Sequence, residues 1–79
     1  MTKRQFRTVL EDLFGVDRGT LRDDDSRHTI PAWTSLVDVQ ITVVLASELG
    51  LEDVAETLEY ESVGDLMSVL DAHGAFAAA

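Results

Sequence analysis

The chain has 79 residues, contains no cysteine and carries a formal net charge of −9. A chain of this length forms one domain with a thin core, and without cysteine it has neither a disulfide framework nor a thiolate metal site. Six basic and six acidic side chains balance within residues 1–27, whereas residues 28–79 hold nine acidic side chains and no lysine or arginine. The acidic part would repel nucleic-acid phosphates and anionic lipid surfaces, so we expect a protein partner with a basic docking patch.

The N-terminus lacks the pattern of a targeting signal. No continuous apolar run follows Lys3 and Arg4, and no stretch is long enough to span a bilayer. We therefore expect a cytoplasmic monomer that binds neither membranes nor nucleic acid.

Residues 2–14 have the apolar period of a first helix, with one face formed by Phe6, Val9, Leu10, Leu13 and Phe14. Thr2 and Gln5 have the spacing of a capping box at its start. Gly15 predicts the left-handed residue that commonly ends a helix.

Residues 16–34 lack a helical period and contain Pro31 and an aspartate run at residues 23–25, which indicates a long loop between the first and second helices. Loops of this length in a compact domain are usually functional or poorly ordered. We expect this loop to be held on the core by Leu21, Ile30 and Trp33.

A second helix is predicted to begin at Thr34 or Ser35 and to continue to Leu49 before Gly50. Its apolar residues form two stripes that face different ways. One stripe consists of Leu36, Val39, Val43 and Ala46, and the other of Ile41, Leu45 and Leu49 with Val37 and Val44 beside it. So small a chain has too few other elements to cover both stripes, and we expect the first one to stay exposed as a docking surface beside Ser35.

Two further segments complete the predicted fold. Residues 51–61 have the pattern of a short third helix, and Ser62 with Asp65 predicts the cap of a last helix that runs to Gly74. The predicted fold class is all-α, a small four-helix bundle of three main helices and one short one, in a single domain over residues 1–79. Residues 75–79 are predicted to form a flexible tail.

Two motifs open the second and last helices. Thr34-Ser35-Leu36 begins the second helix, which continues through Leu45 to Glu48-Leu49-Gly50, and Ser62-Val63-Gly64-Asp65-Leu66 begins the last. In this order and spacing the motifs resemble the acyl carrier protein family over nearly the whole chain. The chain has Thr34 where that family normally has aspartate. With Trp33 before the motif, the segment resembles the Trp-Asp-Ser-Leu segment of some family members. These members are often stand-alone carriers in specialised pathways.

In that family the motif serine accepts a 4′-phosphopantetheine arm from coenzyme A through a dedicated phosphopantetheinyl transferase. The resemblance implies that Ser35 is the attachment site and that the bundle is of the acyl-carrier type. It implies a protein that is not an enzyme and that carries acyl or aminoacyl thioesters for a fatty-acid, polyketide or related pathway. A phosphodiester on Ser35 would lie among free N–H groups at the positive end of the helix dipole.

The implied partners are the transferase and the acyl-loading and acyl-processing enzymes, with basic or apolar docking patches. The chain has Ala46 and Ser47 where fatty-acid carriers typically have acids, so we expect recognition to depend mainly on apolar contacts. The residues that we expect partners to contact are Leu36, Asp38, Val39, Val43 and Glu48.

The same residues allow other interpretations. In an unmodified helical interaction module, the exposed stripe and the acidic half would bind a partner and Ser35 would be an ordinary cap residue. Ser35, His28 and Asp38 have the residue types of a hydrolase triad, but the nucleophile-elbow pattern is absent. The aspartates at 23–25 lack the alternate spacing of a calcium loop, and His28 and His73 have no partner that indicates a metal site. We therefore expect no metal and no catalytic residue.

Overall fold

A computed structural model describes residues 1–55 and 57–77, while Glu56, Ala78 and Ala79 lie outside the described residues. Within the described ranges the chain forms three α-helices and no β-strand: α1 Lys3–Phe14, α2 Ser35–Glu48 and α3 Val63–Ala72. The all-α class predicted from the sequence is confirmed at this level. In the same ranges, no helix has the length and apolar character that a membrane crossing requires.

Both ends of α1 have the predicted caps. The Thr2 hydroxyl accepts the backbone N–H of Gln5, and the Gln5 side chain accepts the backbone N–H of Thr2, which confirms the capping box. Gly15 ends the helix with φ of 68°, in the left-handed region that glycine adopts at little cost.

One hydrophobic core joins all three helices and the connecting segments. The loop between α1 and α2 covers part of this core, because Leu21, Ile30 and Trp33 are buried as predicted. The helices contribute Phe6, Leu10 and Phe14 from α1, Val37, Ile41 and Leu45 from α2, and Val63, Leu66 and Leu70 from α3.

A buried carboxylate on α1 holds the first part of this loop. The side chain of Glu11 accepts the backbone N–H of Gly19 at 2.8 Å and that of Leu21 at 3.2 Å. Glu11 is buried, and these two hydrogen bonds compensate for the removal of its charge from water. A charged helical residue thus fixes the start of the loop.

The second part of the loop contacts the start of α3. The backbone N–H groups of Val63 and Gly64 donate to the carbonyl oxygens of Asp25 and Asp23 at 2.9 and 2.8 Å, so the loop satisfies free N–H groups of that helix. A Cβ atom at Gly64 would lie 3.1 Å from the Asp23 oxygen, so glycine permits this close approach. The Ser62 hydroxyl accepts the N–H of Asp65, as predicted, but the Asp65 carboxylate accepts the N–H of Glu61 and not that of Ser62, so the pair does not form a reciprocal capping box.

The described residues of the predicted short third helix form turns and no α-helix. The Leu51 carbonyl accepts the N–H groups of Val54 and Ala55 at 3.0 and 2.8 Å, and Thr57 N–H donates to the Val54 carbonyl at 2.9 Å. A single helical turn gains few hydrogen bonds against the cost of nucleation, and the acidic residues that follow would lie at the unfavourable negative end of a helix.

The chain after α3 packs against the N-terminus. The rings of Phe76 and Phe6 lie 5.6 Å apart, and the N–H of Ala77 donates to the Met1 carbonyl at 2.8 Å. Ala75 and Phe76 of the predicted flexible tail therefore pack against the core and Ala77 is hydrogen-bonded to Met1, while the last two residues of the tail lie outside the described residues.

Candidate functional site

Ser35 is the first residue of α2 and is exposed. Thr34 occupies the N-cap position in extended conformation, but its side chain makes no capping hydrogen bond. The first N–H groups of a helix have no intrahelical partner, so those of α2 lack both a helical and a capping acceptor. The start of α2 therefore offers an accessible hydroxyl beside unsatisfied backbone donors.

The other two hydroxyl groups of α2 are engaged within the helix. Thr42 donates to the carbonyl of Asp38 at 3.0 Å, and Ser47 donates to that of Val43 at 2.8 Å. Within the described residues, the Ser35 side chain has no hydrogen bond, so its hydroxyl differs from those of Thr42 and Ser47 in having no acceptor within the helix.

The apolar stripe that begins beside Ser35 is exposed to solvent. Leu36 is 68% exposed, and Val39 and Val43 are each 59% exposed, whereas Ile41 and Leu45 on the other face are fully buried. The predicted difference between the two stripes is confirmed for these residues, whereas Ala46 of the first stripe and Val44 and Leu49 of the second are half-buried. Contiguous exposed apolar side chains on so small a protein are typical of a contact surface.

Asp38 is held within the chain. One carboxylate oxygen accepts the indole N–H of Trp33 at 2.8 Å, and the other pairs with the Arg27 guanidinium at 2.9 Å. The hydrogen bond that Arg27 donates to Asp38 raises the pKa of the Arg27 guanidinium. Glu48, at the end of α2, is exposed. Of the two acidic residues predicted to contact partners, Asp38 already has two intramolecular partners.

An aromatic cluster supports the start of α2. The buried Trp33 ring lies 4.8 Å from that of Phe14 and 6.2 Å from that of Tyr60, and the Arg27 guanidinium lies 5.3 Å from it. Burial, followed by the charge of Asp38, raises the pKa of the Tyr60 phenol, and the charge of Arg27 opposes this increase. The loop, the first turn of α2 and the segment before α3 therefore meet at one indole ring.

Arg27 and Tyr60 were not predicted as site residues. Arg27 is the last basic residue of the chain and stands in the loop, so its pairing with Asp38 depends on how the loop folds. Tyr60 follows acidic residues in a segment of turns. Two sequence features could have identified them. Tyr60 is the single tyrosine of the chain, and Arg27 is a cation close to the Thr34-Ser35-Leu36 motif.

A cleft of about 450 Å³ lies between α2 and the segment before α3. Its lining is mainly polar and comprises Arg27, Asp38, Thr42, Ala55, Leu58, Glu59, Tyr60 and Glu61. The fully buried Ile41 and Leu45 do not line it.

The triad considered from the sequence is not assembled. His28 is exposed, and in the described residues no hydrogen bond joins it to Ser35 or Asp38. The two carboxylate oxygens of Asp38 instead accept hydrogen bonds from Trp33 and Arg27.

The aspartate run is engaged in loop contacts. Asp23 pairs with Arg7 at 2.6 Å, Asp24 pairs with Arg22 at 3.3 Å, and Asp25 accepts the Thr29 hydroxyl at 2.9 Å. Across the described ranges no group of three or more histidine, aspartate or glutamate side chains could hold a metal ion.

No known protein-family model, curated protein or solved structure matches this chain.

Proposed function

We propose that this chain is an acyl carrier protein whose 4′-phosphopantetheine arm is attached to Ser35. The observation that carries the proposal is the free, exposed hydroxyl at the first residue of a helix whose neighbouring apolar stripe is unburied. The sequence motifs at the starts of α2 and α3 support it, as does the order of the three helices. Under this proposal the turns at residues 52–55 and 57 correspond to the short third helix of an acyl-carrier bundle.

The residues at Ser35 fit the attached group. The Ser35 oxygen would form a bond to the phosphorus atom of coenzyme A that bears the pantetheine, the bond from this phosphorus to the bridging oxygen of the diphosphate would break, and adenosine 3′,5′-bisphosphate would leave. The hydroxyl proton would pass to a base of the transferase. The phosphodiester is an anion, and the unsatisfied N–H groups at the start of α2 and the positive end of its dipole stabilise an anion there. When attached, the arm supplies a thiol that carries an acyl or aminoacyl group as a thioester.

The exposed stripe is the surface on which partner enzymes would dock. Leu36, Val39 and Val43 provide its apolar contact area, and Glu48 adds an exposed negative charge at the far end of the helix. The excess of acidic residues after residue 27 favours partners with basic patches, namely the phosphopantetheinyl transferase and enzymes that load or process the acyl group. In this role the chain presents its cargo and is not itself an enzyme.

A second candidate function is an unmodified interaction module. The exposed stripe favours it equally, because a partner could cover the stripe without any arm on Ser35. Thr34 also stands where carriers normally have an aspartate. The two candidates differ only in the covalent modification, so mass spectrometry separates them.

The test is intact-mass spectrometry after incubation with coenzyme A, magnesium and a broad-specificity phosphopantetheinyl transferase. We expect the mass to rise by one phosphopantetheine group, and we expect Ser35→Ala to remain unmodified. Ser47→Ala is the matched control, because Ser47 is an exposed serine of the same helix, and it should be modified like the wild type. A wild-type mass that does not change would leave the interaction module as the function.

A further inference from the structure

Arg27 lies near the start of α2 and precedes Ser35 by eight residues in the sequence. Asp38 follows Ser35 by three residues, and residues at this spacing are neighbours on a helix surface. Helical side chains tilt towards the N-terminus, so the Asp38 carboxylate lies over the first turn, where it also accepts the indole N–H of Trp33. The guanidinium that pairs with this carboxylate at 2.9 Å is therefore on the Ser35 side of the helix.

The Arg27 side chain is fixed in place and retains unused donors. Its guanidinium stacks over the buried Trp33 ring at 5.3 Å, and this contact restricts its rotamers. In the described residues its one side-chain hydrogen bond is the bond from Nη1 to Asp38, whereas a guanidinium has five N–H donors. The side chain is 40% exposed, so the remaining donors are accessible.

Few cations other than Arg27 could pair with an anion at the start of α2. Arg27 is the last lysine or arginine of the chain, and the charged residues after it are all aspartates and glutamates. A phosphodiester near Asp38 would be repelled by the carboxylate unless a cation lay between or beside them. Guanidinium groups bind phosphate oxygens through charge-assisted hydrogen bonds.

We propose that Arg27 is a positioning residue that donates to the phosphodiester on Ser35 and so fixes the direction in which the arm leaves α2. This inference rests on the proposed function, because it requires that Ser35 be modified. Asp38 and Trp33 would hold the guanidinium in position before the arm is attached, so little ordering cost would remain.

The experiment compares the unmodified and modified wild-type protein by nitrogen–proton NMR of the arginine side chains. We expect the Arg27 Nε–Hε signal to shift when the arm is attached. The signal of Arg22 should stay unchanged, because Arg22 lies in the same loop, is highly exposed and pairs with Asp24. In phosphorus NMR of the modified proteins, Arg27→Gln should shift the phosphodiester signal and Arg22→Gln should not.

The outcomes separate this inference from the proposed function. If the adduct mass is present and the Arg27 signal does not move, Arg27 only neutralises Asp38 and the inference is wrong while the carrier function stands. If no adduct forms, both fail. The wild-type comparison needs no variant, so the result holds even if Arg27→Gln does not fold.

Discussion

The two faces of α2 have similar apolar character, yet the fold covers one and leaves the other in solvent. Ile41 and Leu45 are fully buried in the core, whereas Val39 and Val43 are each 59% exposed. Burial stabilises the first face by the hydrophobic effect, but the exposed face gains little from folding. Stability therefore explains the apolar residues of the buried face and not those of the exposed face, which we propose to be a docking surface.

The largest expected effect is a difference in stability between truncations of one side chain on each face of α2. We expect Leu45→Ala to lower the free energy of unfolding by about 2–5 kcal/mol, because it leaves a cavity in a thin core. Val43→Ala should change it by less than about 0.5 kcal/mol, because it removes an exposed group. Urea unfolding followed by the fluorescence of Trp33, the single tryptophan, measures both. Equal losses would mean that both faces are covered in solution.

The loop that covers the core depends on Glu11. We expect Glu11→Ala to lower the free energy of unfolding by about 1–3 kcal/mol, because it removes the acceptor for the N–H groups of Gly19 and Leu21. Asp12→Ala is the matched control and should cost about 0–1 kcal/mol, since Asp12 pairs with Arg18 on the exposed surface. Urea unfolding that gave both variants the same stability would show that the loop does not depend on the buried carboxylate.

A charge placed on the exposed stripe tests the function of that face. We expect Val39→Asp to lower kcat/KM of the phosphopantetheinyl transferase about tenfold, because a carboxylate would be desolvated in the docked complex. Ser68→Asp on α3 adds the same charge at an exposed position away from the stripe and should leave the rate near that of the wild type. An unchanged rate for Val39→Asp, with the fold intact by circular dichroism, would remove the stripe from the docking surface.

The smallest expected effect concerns the start of α2. Thr34→Asp should raise the free energy of unfolding by about 0.3–1 kcal/mol, because it adds a negative charge and a capping acceptor at the positive end of the helix. Ser47→Asp places the same charge near the negative end of the helix and should lower the free energy of unfolding. Chemical unfolding of the two variants measures the difference, and a shift in the same direction for both would contradict the dipole argument.

Local sequence patterns predicted much of this fold. The capping residues Thr2 and Ser62 and the terminal Gly15 act on their own helices, so spacing alone identified them. The exposure of Val39 and Val43 was also predictable, because a chain of 79 residues lacks the surface to cover both faces of a helix.

Contacts between distant segments could not be predicted in the same way. A charged helical residue is usually exposed, so nothing in the sequence marked Glu11 as buried. The pairing of Arg27 with Asp38 depends on the course of the loop, and the turns at residues 52–55 and 57 depend on how far a marginal helix propagates. The surroundings of Ser35 therefore required the structure.

The most direct test of the central claim is to locate the phosphopantetheine adduct by fragmentation mass spectrometry of the modified protein. We expect one adduct per chain, on the peptide that contains Ser35, and none on the peptides that contain the exposed serines Ser47 and Ser68. An unmodified Ser35 peptide, or an adduct on another serine, would contradict it.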